Sequence, residues 1–90
     1  MDATTELLNE RGKTHGDFSD HAGITQALKS AMQYHNRDGD AWAKLTDPQR
    51  EALEMIVHKI GRILAGNPNF RDHWDDIAGY ARLVAERCPT

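Results

Sequence analysis

The sequence contains a single cysteine, Cys88, which lies close to the carboxyl end of the chain. One cysteine cannot form a disulfide within the chain, and it argues against a zinc site built from cysteines. The sequence also has no long hydrophobic run and no basic segment followed by an apolar one. We therefore expect neither a membrane span nor a signal peptide, no membrane partner, and a location in the cytoplasm.

Strong charge of either sign is also missing. The net charge is −3 with neutral histidines, and the lysines and arginines are spread along the chain, so we do not expect nucleic acid to be a partner. A hydrophobic content of 39% is ordinary for a folded chain. We expect one helical domain over residues 1–90, and, because a core of this size gives only modest stability, a homodimer.

Hydrophobic residues recur at helical spacing in two segments of residues 47–87, which are joined by a Gly- and Pro-containing turn at 66–70. This pattern predicts two long amphipathic helices that form an antiparallel hairpin. The residues predicted to form the core stripe of the first helix are Leu53, Ile56, Val57, Ile60, Ile63 and Leu64. Those predicted for the second are Trp74, Ile77, Ala78, Ala81, Val84 and Ala85. The predicted fold is an all-α bundle: this hairpin, a third helix and a short N-terminal helix.

The first half of the chain has weaker patterns. We predict a short helix over the first ten residues, capped by Asp2 or Thr4 and ending near Gly12, and then a turn-like segment at 13–18. The next helix should run to about Tyr34, capped by Ser19 or Asp20, with Phe18 packed just ahead of it. Residues 35–46 read as a loop held to the bundle by Trp42.

The caps of the two long helices follow from the same rules. Thr46 or Asp47 should cap the first, with Pro48 in its first turn and Gly66 at its end. Asn69 or Asp72 should start the second.

Carboxylates form the most specific pattern in the chain, because two pairs occur at helical spacing in the two long helices. Carboxylate oxygens are the ligands that Mg²⁺ prefers, and a bound Mg²⁺ could neutralise a polyphosphate and activate a water. The predicted metal ligands are Glu51, Glu54, Asp72, Asp75 and Asp76. The alternative is that the glutamates lie on a solvated face and the aspartates favour a helix N-terminus.

Other residues could complete a nucleotide site. Lys59 and Arg62 could meet phosphate groups. His15, Asp17 and Tyr80 could line the nucleoside side, although Asp17 could equally cap the helix that follows. Two glycines inside the long helices, at positions 61 and 79, suggest the close approach of another backbone or room for a ligand.

Residues 11–18, 51–64 and 72–81 resemble a family of small bacteriophage and prophage proteins. The three segments read RGKTHGDF, EALEMIVHKIGRIL and DHWDDIAGYA. The resemblance covers most of the chain but implies no particular activity.

More remotely, the layout of carboxylates is similar to that of MazG-type all-α nucleoside triphosphate pyrophosphohydrolases, which bind Mg²⁺ in bundles usually built by dimerisation. By position, Glu51 and Glu54 match the outer glutamates of that family's first motif. Asp72 and Asp75, or Asp76 by a shift of one residue, match its second. Arg50 stands where a further glutamate is expected, and Asp72 replaces a glutamate.

The sequence thus gives two functional hypotheses. The first is a phage-type cytoplasmic protein that binds a nucleotide or its phosphates through Mg²⁺ and hydrolyses a (d)NTP to the monophosphate and pyrophosphate, with Glu54 as the catalytic carboxylate. The second is a non-enzymatic phage protein that binds and inhibits a host complex such as bacterial immune machinery, in which case the acidic stripes form a binding face.

Overall fold

The computed structural model describes residues 2–34 and 40–90. These residues form four α-helices and no strand, which confirms the predicted all-α fold. The helices are α1 (Ala3–His15), α2 (Phe18–Met32), α3 (Asp47–Ala65) and α4 (Arg71–Ala85). The predicted loop lies partly outside the described residues, at 35–39. None of the described helices has the length and apolar character needed to cross a bilayer.

The start of α3 follows the sequence rules closely. The Thr46 hydroxyl accepts from the backbone N–H of Gln49, whose side chain accepts in return from the N–H of Thr46, and Pro48 occupies the first turn. The start of α4 does not follow them. Its N-cap is Phe70, which offers no side-chain hydrogen bond, so the prediction of Asn69 or Asp72 was wrong.

The corner between α1 and α2 is tighter than predicted. Asp2 caps α1 as expected, but the helix continues through Gly12 to His15 and α2 begins at Phe18, so of the predicted turn-like segment only residues 16 and 17 are not helical. Only Gly16, with a φ of 80°, is needed to reverse the chain. Asp17, rather than Ser19 or Asp20, then caps α2. Phe18 is 81% exposed and does not pack ahead of the helix.

The helix α3 lies at the centre of the molecule. It contacts α2 on one side and α4 on the other, and within the described residues α2 and α4 do not contact each other. The shorter helix α1 contacts both α2 and α3. The three helices α2, α3 and α4 therefore form one layer, and α1 lies on one face of it.

The buried residues differ from the predicted core stripes. Ala52, Val57 and Ile63 are the buried hydrophobic residues of the described chain, but Leu53, Leu64 and Trp74 are 40%, 66% and 53% exposed. Ala78, Ala81 and Ala85 are exposed as well. The predicted stripes are therefore buried only in part. Val57 and Ile63 are buried and Ile56, Ile60, Ile77 and Val84 are half-buried. The other members are exposed, because α3 buries the two sides that face its neighbours rather than the middle of its apolar face. Polar residues are buried in their place: His21, Thr25, Lys59 and His73.

Candidate functional site: a cleft lined by histidine and arginine

The α1–α2 corner is held against the end of α3 by glycines. A Cβ on Gly16 would collide with the backbone of Ala65, and a Cβ on Gly66 would lie 2.6 Å from the Gly16 nitrogen. The two backbones can meet this closely only because both residues lack a side chain. Gly66 ends α3 as predicted, but its φ of −117° shows that it is needed for this contact rather than for a left-handed cap.

The carbonyl oxygen of Thr14 ties three parts of the chain together. It accepts from the backbone N–H of Asn67 and from Nε2 of His73, both at 3.0 Å. His73 is 1% exposed, and its ring lies edge-on to the ring of His15, with centroids 4.8 Å apart. The buried histidine of α4 thus fixes the last turn of α1, which carries His15.

A second contact brings α2 against α3. Gly61 allows it, because a Cβ there would lie 2.7 Å from Cδ2 of His21 and 2.8 Å from the hydroxyl of Thr25. Nε2 of His21 donates to the carbonyl oxygen of His58 at 3.1 Å. The close approach at Gly61 is thus made by side chains of α2, not by another backbone as predicted. Among the described residues, no atom would lie within 4 Å of a Cβ on Gly79, so neither glycine faces another backbone.

These two contacts leave a cleft between α1, the start of α2 and one face of α3. Its volume is about 820 Å³, which is within the range of small-molecule sites. The residues that line it are Leu8, Asn9, Arg11, Gly12, His15, Gly16, Asp17, Phe18, His21, His58 and Arg62. Two arginines and three histidines face a single carboxylate, Asp17. That carboxylate accepts from the N–H groups of Ser19 and Asp20 at the start of α2.

Burial and nearby positive charge act on two of these histidines. Burial, together with the charges of Arg62 and His73, lowers the pKa of His15 below its ordinary value of 6.5. Burial, followed by the charges of Lys29, His21 and Arg62, lowers the pKa of His58 in the same way, and Glu54 opposes this. Nζ of Lys29 donates to Nε2 of His58 at 3.4 Å, which requires a neutral ring. The cleft is therefore an electropositive site in which His15 and His58 favour the neutral form.

The tautomer of His15 follows from its neighbours. The Thr14 hydroxyl donates to the carbonyl oxygen of Arg11, so its oxygen is free to accept from Nδ1 of His15 at 2.6 Å. The neutral ring then has its unprotonated nitrogen at Nε2, which can act as an acceptor or a base.

The structure brings together three of the residues predicted from the sequence for a nucleotide site: His15, Asp17 and Arg62 all line the cleft. Lys59 does not, because it is buried and its ammonium lies 2.9 Å from the carboxylate of Asp76. Tyr80 is half-buried on α4 and is not part of the cleft wall.

The five predicted metal ligands do not form one cluster. Glu51 and Glu54 line a separate, open depression beside Asp47, Pro48 and Arg50. On α4, Asp75 pairs with Arg71 at 3.1 Å and Asp76 pairs with Lys59. Since Lys59 is level with Asp76, a rise of 1.5 Å per residue puts Glu51 about 18 Å along α3 from the level of Asp72. Over residues 2–34 and 40–90, no three His, Cys, Asp or Glu side chains are placed to hold a metal ion.

Sequence reasoning missed several residues of this region. Arg11, His21 and His58 were not assigned to the site, and the buried His73 was not expected. A signal was present for two of them. His21 precedes Thr25 at helical spacing next to the apolar residues Ile24 and Leu28, and His73 precedes Ile77, Tyr80 and Val84 in the same way, so both histidines adjoin the apolar stripe of their helix.

Comparison with known proteins gives a family and no activity. No curated protein matches the chain. No solved structure matches it either. The model of one family, described as a domain of unknown function (DUF6378), matches residues 1–88. Since this match covers nearly the whole chain, the protein belongs to the DUF6378 family.

Proposed function

We propose that the cleft binds a small phosphorylated molecule, of which a nucleotide is the best candidate. The observation that carries the proposal is the composition of the cleft wall: Arg11 and Arg62 share one cavity with three histidines. Arginine presents a planar fork of donors that matches the oxygens of a phosphate. The chemistry of the cleft therefore suits an anion.

The two arginines are available for such a ligand. Among the ion pairs of the described residues, none involves Arg11 or Arg62. The acidic residue of the cleft wall, Asp17, is engaged by backbone N–H groups at the start of α2. A bound phosphate would supply the negative charge that the cleft wall lacks.

The other walls of the cleft suit the rest of a nucleotide. Phe18 is highly exposed at its edge, and Leu8, also exposed, lies opposite on α1. An exposed aromatic ring next to a cationic site offers a surface on which a base can stack. The cleft thus combines a polar end with an apolar rim, as small-molecule sites commonly do.

Binding through Mg²⁺ and hydrolysis of a (d)NTP remain predictions from the sequence. In a single chain the five carboxylates do not fit a Mg²⁺ site, because they are spread along the hairpin and two of them are paired with cations. We therefore assign no catalytic step to the metal. Pyrophosphate release in the presence of Mg²⁺, compared between the wild type and Glu54→Gln, is the measurement that tests this prediction.

The binding proposal is tested by calorimetric titration with pyrophosphate and then with a panel of (d)NTPs, in EDTA. We expect Arg62→Gln to weaken binding at least about tenfold, the effect of losing one charge-assisted contact. The matched control is Arg82→Gln, since Arg82 is exposed on α4 and pairs with Glu86. Binding unchanged by Arg62→Gln, or absent at millimolar ligand, would overturn the proposal.

The alternative function is that of a non-enzymatic phage protein that inhibits a host complex in the host cytoplasm. It predicts a different result in the titration with nucleotides. Such a protein would not respond to nucleotides, and its affinity for a host protein would survive EDTA. A pull-down from host lysate with wild-type protein and Arg62→Gln separates the two functions, because only the nucleotide site depends on Arg62.

A further inference from the structure

The layer formed by α2, α3 and α4 has two different faces. The cleft face carries His58 and Arg62 and is partly covered by α1. The opposite face is apolar and largely exposed. Its exposed residues are Leu53 and Leu64 of α3, Trp74, Ala78, Ala81 and Ala85 of α4, and Ala31 of α2. Ile60 of α3 and Ile24 and Leu28 of α2 are half-buried on the same face.

Helix geometry places the stripes of α3 and α4 on the same side of the hairpin. At about 100° per residue, Leu53 and Leu64 point about 120° or more away from Lys59, and Trp74 points about 160° away from Asp76. Lys59 and Asp76 form the ion pair at one edge of the helix–helix contact. Both apolar stripes therefore lie at the other edge, and together they form one continuous surface.

The stripe of α2 joins the same surface. Lys29 of α2 reaches His58 on the cleft side of α3. Ile24, Leu28 and Ala31 lie about 100–160° from Lys29 around the helix, so they point toward the opposite face of the layer. The cleft and the apolar surface consequently face in opposite directions, and covering the surface leaves the cleft open.

We infer that a second copy of this chain covers the apolar surface, with the same surface of each copy facing the other. A domain requires two packed layers around a core, and this chain supplies only one layer on that side. Its own buried hydrophobic residues in the described ranges are Ala52, Val57 and Ile63, a small core for its length. A partner that completes the core must be present whenever the chain folds, which a second copy always is.

The exposed area of the whole chain, taken over all of its faces, is large enough for this occupant. The chain exposes 6555 Å², whereas a compact monomer of 10.1 kDa is expected to expose about 5,300 Å². The excess of roughly 1,200 Å² is above the ~800 Å² that each partner buries in an interface of standard size. The indole N–H of Trp74 donates to the carbonyl oxygen of Pro68 at 2.8 Å, so the ring can be buried without losing a hydrogen bond.

The test compares two exposed leucines, each near the C-terminus of its helix. Leu64 lies on the apolar surface and is 66% exposed, and Leu83 lies on the other side of α4 and is 51% exposed. Light scattering coupled to size exclusion should give the wild type twice the mass of 10.1 kDa. Leu64→Lys should weaken the dimer at least ~100-fold, because two unpaired charges would be buried on association. Leu83→Lys should leave the dimer intact.

A second measurement keeps the inference testable if Leu64→Lys fails to fold alone. The melting temperature of the wild type should rise with protein concentration, as mass action requires of a dimer that unfolds to monomers. A wild type that is monomeric at about 100 µM, roughly a hundred thousand times a nanomolar Kd, would overturn the inference. So would a dimer that Leu64→Lys and Leu83→Lys affect equally. None of these results depends on the ligand of the cleft.

Discussion

Lys59 and Asp76 form an ion pair of 2.9 Å across the α3–α4 hairpin. The ammonium of Lys59 is almost completely enclosed, whereas the carboxylate of Asp76 is half exposed. A hydrogen bond from Lys59 and the lysine's charge hold the pKa of Asp76 below its ordinary value of 3.8. The pair fixes how the two helices align, and it occupies a lysine and an aspartate that the sequence assigned to phosphate and metal.

The two ends of this pair should respond differently to substitution. Asp76→Asn leaves the buried charge of Lys59 without a counter-ion, which should lower the melting temperature by roughly 4–8 °C, the shift typical of one lost interaction in a domain of this size. Lys59→Met keeps the apolar stem and leaves only a carboxylate that water can reach, so its effect should be smaller. Thermal unfolding followed by circular dichroism at pH 7 checks this order, and a larger loss for Lys59→Met would contradict it.

Gly61 and Gly79 provide a matched pair of glycine substitutions inside helices. Gly61→Ala should destabilise the fold by about 1–3 kcal/mol, because the new methyl group would press on the enclosed side chains of His21 and Thr25. Gly79→Ala should stabilise it by roughly 0.5–1 kcal/mol, since its Cβ meets nothing and alanine favours the helix. Urea unfolding of both variants measures the two free energies, and stabilisation by Gly61→Ala as well as by Gly79→Ala would show that α2 does not pack at Gly61 as described.

Gly16 should control how α1 attaches to the rest of the protein. Gly16→Ala forces an alanine into a φ of 80° and against the backbone of Ala65, so the α1–α2 corner should move away from the end of α3. Trypsin should then cut after Arg11 and Lys13 several times faster than in the wild type, because local opening exposes the chain. Gly23→Ala, where a Cβ has open space, is the control and should not change the cleavage rate.

The helices could be predicted from the sequence because each depends on local rules. The period of the apolar residues, the capping box of Thr46 and the glycine at position 66 all act within a few residues. The all-α fold and the α3–α4 hairpin were correct for that reason. The first residue of a helix was harder to predict. The helix α4 starts after Phe70, whose backbone position is set by the turn rather than by a capping side chain.

The burial of residues and the composition of the cleft depend on contacts that are distant in sequence. The stripe containing Leu64 was recognised as apolar, but its position relative to α2 and α4 decides whether one chain can cover it. Likewise, Arg62 was assigned to phosphate from its place on α3. Its neighbours in the cleft, Arg11 and His21, come from helices whose packing depends on Gly16 and Gly61. No local pattern encodes such an arrangement.

His15 and His58 should make the stability of the free protein depend on pH below neutrality. Burial is the main cause that lowers the pKa of each histidine below 6.5 in the folded protein. At a pH between the folded and the unfolded pKa of a histidine, the unfolded chain therefore binds more protons than the folded one. Stability is therefore complete above about pH 7 and falls as the pH is lowered through 6.5, until the folded histidines are protonated as well.

The measurement is the melting temperature from pH 7.5 to pH 5 in a buffer without phosphate, for the wild type, His15→Gln, His58→Gln and the double variant. Each single variant should reduce the slope of melting temperature against pH, and the double variant should remove most of it.

Lys29→Met should raise the pKa of His58 toward 6.5 in an NMR titration and leave that of His15 unchanged, because Lys29 contributes to the shift of His58 alone. A slope that persists in the double variant would show that other groups carry the pH dependence and that the cleft does not disfavour the charged histidines.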